Sequence, residues 1–138
     1  MKKVGVLILL VVVSCKKLEE KGSIEGKVTN GDKKEQGIIV LAIEGDFLKS
    51  GTNINPNAVK AGVTNSEGEY KILLLEEGSY VVAGVKDMDG DYKYTDTVDM
   101  IGYYGKREGG IVVPTKVSLK KGENKKGINI DTLYVIPN

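Results

Sequence analysis

"TNSEGEYKILLLEEGSYVV", residues 64–82, is the stretch on which the fold turns. It holds the apolar run "EYKILLL" and the start of a second, "SYVVAGVKD", set apart by "EEG" and preceded by the polar turn "NSEG". Runs this short, rich in Tyr, Val, Ile and Leu and bounded by Gly, read as β-strands. Gly68 can adopt the positive φ that a turn between neighbouring strands requires. Tyr70 and Tyr80 are predicted to bury their rings, each hydroxyl then needing a partner at the sheet edge.

Working outward, "SIEGKVT" (23–29) alternates, with Ile24, Gly26 and Val28 on one face and Glu25 and Lys27 on the other. "GIIVLAI" (37–43) is apolar throughout, the pattern of a strand covered on both faces, and Gly31 with Asp32 marks the turn before it. Residues 44–57, "EGDFLKSGTNINPN", have no period, hold the only phenylalanine, Phe47, and read as a long loop. "AVKAGVT" (58–64), "GGIVVPTKVSLK" (109–120) and "GINIDTLYV" (127–135) are further strands, the last two joined by the Lys-rich turn "KGENKKG". Pro114 points to an edge strand or bulge. Seven or so short strands on one core, with no helical period, predict an all-β protein, a Greek-key-type sandwich in preference to a barrel or a βαβ sheet.

The stretch from Thr64 also resembles the carboxypeptidase regulatory-like domain, a transthyretin-like (prealbumin-like) β-sandwich. Thr64, Gly68, Tyr70, Ile72, Leu75, Gly78 and Tyr80 fall on that family's central signature without a gap, and "IEGKVT" with "GIIVLA" is similar to its first two strands. The resemblance covers residues 23–85 well and the rest by strand count. It implies a sandwich without peptidase activity, an accessory or adhesive module of exported bacterial proteins whose relatives bind carbohydrate or protein.

The N-terminus reads as an address. "MKKVGVLILLVVVSC" is a basic pair followed by an apolar run over 4–13, too short to cross a hydrocarbon core, as in an export signal. Cys15, the only cysteine, has no disulfide partner, and its position resembles the lipobox of bacterial lipoproteins. The expected organisation is a signal peptide over 1–14, a lipidated Cys15 with a short tether over 15–22, and a single sandwich domain over 23–138. Such a chain is held at a membrane without a spanning helix. Lys16 after the cysteine is compatible, by analogy with lipoprotein sorting, with the outer membrane, the periplasmic face or the cell surface. Once Lys2 and Lys3 leave with the signal, 18 basic residues face 19 acidic ones. That balance gives no support for nucleic-acid binding.

The chain has no histidine, which removes Ser-His-Asp and Cys-His mechanisms and HExxH zinc sites. What remains is "KDMDGDYKYTDTVDM" (86–100), with Asp87, Asp89, Asp91, Asp96 and Asp99. Two readings are open. The carboxylates could converge on calcium, although the sixth and twelfth positions of an EF-hand hold Tyr92 and Val98; or Asp89 and Gly90 could turn a hairpin with hydrated acids. Tyr92, Tyr94, Tyr103 and Tyr104 cluster beside them, able to stack on a sugar or anchor a protein partner, or simply to pack. A Lys27–Asn129 amide cross-link with Glu69 as its acid is disfavoured by the alternation, which turns both residues to water. The expected function is a non-enzymatic, lipid-anchored binding or structural module for a carbohydrate or protein partner. The alternatives are an enzyme acting on glycans through carboxylates alone and a purely structural envelope lipoprotein.

Overall fold

The computed structural model describes residues 20–57 and 60–137. The expected signal segment and Cys15 lie outside them, with the tether up to residue 19 and Ala58 and Val59 of the strand expected over 58–64. The described chain is all-β. Its strands are β1 (Gly22–Lys27), β2 (Thr29–Asn30), β3 (Lys33–Lys34), β4 (Ile39–Ile43), β5 (Ala61–Val63), β6 (Glu69–Leu75), β7 (Gly78–Lys86), β8 (Met100–Tyr103), β9 (Gly105–Glu108), β10 (Ile111–Pro114), β11 (Val117–Leu119) and β12 (Asn124–Lys125). One sheet runs β12-β1-β6. The other runs β11-β7-β4-β5, with β8 also paired to β7 beyond β11; β2–β3 and β9–β10 are hairpins.

The two sheets face each other across a core of Ile24, Val28, Ile38, Val40, Tyr70, Ile72, Tyr80, Val82, Ile128 and Ile130. Thr64, buried, accepts the Ile38 N–H and donates to the Glu35 carbonyl, tying the start of β4 to the end of β5. Gly68 takes a φ of 75°, as expected, in a turn that the Asn65 side chain caps at Glu67 and Glu69. Both signature tyrosines are buried and find their partners: Tyr70 donates to the Ile128 carbonyl at 2.6 Å and Tyr80 to that of Glu76 at 2.7 Å. These are scaffold roles, fixing strands and not building a site.

A second core lies on the far face of the larger sheet. Ile39, Leu41, Val81, Ala83 and Val85 project there from β4 and β7, with Ile101 and Tyr103 beside them on β8, and this face is covered by Leu48, Ile54 and Tyr94. "GIIVLAI" is therefore covered on both faces, as its composition predicts. The aperiodic segment 44–57 is part of that cover. Its backbone pairs with the acidic stretch through Tyr94 N–H to the Thr52 carbonyl and the amides of Gly51 and Ile54 to the carbonyls of Tyr94 and Tyr92.

The run over 109–120 splits at Pro114, as that residue indicates, into β10, at the edge of a hairpin, and β11, which joins β7. Two elements depart from expectation. The stretch over 127–135 is no regular strand. Ile128 and Ile130 bond in parallel to β1, then Tyr134 bonds to Ile101 of β8, so this segment crosses from one sheet to the other. In β6 the register slips between Ile72 and Leu75, and Leu74 takes a φ of 59° at the resulting bulge, leaving Leu73 and Leu74 both facing out.

The crossing segment requires glycine beneath it. A Cβ on Gly26 would lie 1.9 Å from the Ile128 carbonyl oxygen, whereas Gly127, at a φ of 72°, has open space around it. Gly26→Ala is expected to destabilise by about 3 kcal/mol or more through forced separation of β1 from Ile128. Gly127→Ala should cost only about 1–2 kcal/mol of left-handed strain. Urea unfolding of the two variants checks the difference.

Candidate functional site

Register builds the acidic loop. Lys86 of β7 pairs with Met100 of β8, so the next residues outward, Asp87 and Asp99, stand side by side at the mouth of the connection. Asp99 turns inward, fully buried, and its two oxygens accept the backbone N–H groups of Met88 and Thr95, each at 2.8 Å. Asp87 accepts from Gly90 at 3.1 Å and from Tyr92 at 3.0 Å. Asp91 accepts from Lys93 at 2.9 Å. Side-chain carboxylates thus replace the ladder that a hairpin would supply.

The expected hairpin at Asp89 and Gly90 does not form. Gly90 takes the left-handed φ of such a turn, at 74°, but Lys93 bridges to Asn53 and not back to β7. The loop is drawn over the second core by Tyr94.

One carboxylate oxygen each from Asp87, Asp89, Asp91 and Asp99 comes within 4.8 Å of the other three. Oxygens at about 2.4 Å from a shared calcium ion lie at most about 4.8 Å apart, so the spacing fits a hard cation. The donors are all oxygens, which suits calcium or magnesium and not a soft metal. Asp96 is not among the four; its carbonyl instead accepts the Ile136 N–H. Among the described residues no lysine or arginine pairs with these carboxylates, and Lys86 turns instead to Glu35 at 3.4 Å. Desolvation among its neighbours, then its contacts with the Asp87 and Asp91 carboxylates, hold the Asp89 carboxyl above its usual range. The folded state therefore binds this proton more tightly than the unfolded chain. The associated stability is present at low pH and is lost as pH rises through the raised value.

The tyrosines separate. Tyr94 and Tyr103 are core residues of the second cluster and present no stacking surface, a correction to their expected role in recognition. Alternation on β8 puts Tyr103 on the same face as Ile101, and backbone bonds to Gly51 and Thr52 hold Tyr94 over that face. Tyr103 meets Phe47 edge-on, with ring centroids 6.2 Å apart, which leaves Phe47 half plug and half exposed contact. Tyr104 is partly buried against the first core. Tyr92 alone of the four is exposed, on a left-handed backbone at a φ of 56°. Burial pushes the Tyr94 hydroxyl up to about 12, and that hydroxyl has no hydrogen-bond partner.

Two further groups complete the picture. Lys27, Glu69 and Asn129 line one open groove of about 860 Å³ on the outer face of the smaller sheet. All three are exposed, and the Asn129 side-chain oxygen accepts the Lys27 backbone N–H at 2.9 Å. A cross-link there would lack the dry carboxylate it needs. Glu35, which sequence reasoning did not single out, is buried between Lys33 and Lys86. Nothing in "KKEQG" separates it from the other surface acids, because its burial comes from β7 arriving 51 residues later.

No family model, no curated protein and no solved structure matches the chain.

Since the Tyr94 hydroxyl is buried without a partner, Tyr94→Phe is expected to be neutral or to stabilise by up to about 1 kcal/mol, whereas Tyr94→Ala should cost about 3–5 kcal/mol. Asp99→Ala, which orphans two amides, should cost about 2–4 kcal/mol. Thermal and urea unfolding of the three variants checks this order.

Proposed function

We propose that the chain is a lipid-anchored, extracytoplasmic binding or structural module of the carboxypeptidase regulatory-like type, its Greek-key sandwich held at a membrane through Cys15. In this reading the acidic loop takes up calcium, which stiffens the end of the domain that a surface polymer or protein partner meets. The observation that carries the reading is the grouping of Asp87, Asp89, Asp91 and Asp99, one oxygen of each within 4.8 Å of the others, with no basic side chain among the described residues paired to them. Cys15 after its apolar run supports the anchor. The module is read as non-enzymatic: the carboxylates of Asp87 and of Asp99 each accept two backbone N–H groups, an arrangement that supports the holding of a loop. Tyr92 is the exposed aromatic available to a partner at this end.

Calorimetric titration with calcium of the chain from Lys16 onward tests the reading. Binding in the micromolar range is expected. At about a hundredfold excess over Kd the ion should stabilise the fold by about 2.7 kcal/mol, a rise in Tm of about 10 °C or more. The Asp89→Ala, Asp91→Ala double variant should lose both heat and shift. Affinity should weaken as pH falls into the carboxylate range, because the ion and the Asp89 proton compete. Absence of heat and of any shift in the wild type would remove calcium from the account.

A further inference from the structure

We infer that the sandwich stands on end at the membrane: the pole that holds the β6–β7 turn is a surface for the lipid bilayer, and the pole that holds the acidic loop is presented away from it. This rests on the lipid-anchor reading above. β1 begins opposite the end of β6, Gly22 against Leu75, so the tether enters beside the β6–β7 turn. The two residues before β1 pair there, Glu20 with Lys121 at 3.2 Å and Lys21 with Glu76 at 2.7 Å. The first described residues therefore lie at this pole.

From the same turn β7 carries the chain away for nine residues, and Asp87 follows at once. At about 3.3 Å per residue the two poles stand about 30 Å apart. Between Cys15 and the fixed Glu20 the chain reaches at most about 17 Å. The tether pole must then lie near the headgroups, where Lys21, Lys120 and Lys121 stand among Glu20, Glu76 and Glu77 and leave this pole near neutral, in contrast to the acidic loop. A domain lying flat would bring to an anionic surface the four carboxylates of the loop, which outnumber the two charges of one calcium ion and so stay net negative with the ion bound. Upright, they sit well beyond the screening length of about 8–10 Å.

The test uses the lipidated full chain in discs of phosphatidylethanolamine and phosphatidylglycerol with a headgroup-spin-labelled lipid. Cys15 is consumed by its lipid, so a cysteine at Glu77→Cys in the β6–β7 turn, or at Met88→Cys in the acidic loop, is the only free thiol and carries a fluorophore. Loss of fluorescence at Glu77, with Met88 at its spin-label-free intensity, is the expected result. Equal loss at both sites, or loss at Met88 alone, overturns the orientation. Intact mass keeps the two failures apart: a mature chain without acyl groups on Cys15 overturns the anchor itself, and the orientation with it.

Discussion

Strands β4 and β7 have no polar face. Between Tyr80 and Val85 every residue of β7 is buried, alternate side chains entering the inter-sheet core and the second core. A strand of this kind leaves apolar surface wet unless something covers both sides, and each large side chain so covered contributes about 1.5–3 kcal/mol. The smaller sheet covers one side. The other is left to segments without regular structure, and this requirement decides how the rest of the chain is used.

Residues 44–57 and the acidic stretch answer it together. Leu48 and Ile54 from the first, and Tyr94 from the second, seal the far face, while their backbones bond to each other across it. Irregular backbone in this position needs partners for its amides. The aspartates supply them, Asp99 from a buried position and Asp87 from the surface. Acid content that reads first as a ligand set is thus also structural. The two roles are compatible, since each carboxylate oxygen has two lone pairs and an amide takes only one.

Much of this was legible in the residues. The strand character of 64–82, the buried tyrosines Tyr70 and Tyr80, the left-handed Gly68 and the double covering of "GIIVLAI" follow from composition and spacing. The loop was not legible. Leu48 and Ile54 are separated by Lys49, Ser50, Gly51, Thr52 and Asn53 with no apolar residue among them, so no local period marks the two as inward-facing. Tyr94 and Tyr103 look like Tyr92 in sequence, and only the fold over β7 sorts them. The acidic group was visible as a run of Asp, but which four of the five converge depends on the pairing of Lys86 with Met100.

The central claim is that two irregular segments form a fixed second core on β7 and are not mobile loops beside it. Native-state hydrogen exchange reads this most directly at the amides of Gly51, Ile54, Tyr94 and Thr95, all bonded within the cover. The account predicts protection within roughly tenfold of that of the β7 amides, as for one cooperative unit. Exchange of these four at the rate of unprotected amides, with β7 still protected, would contradict it.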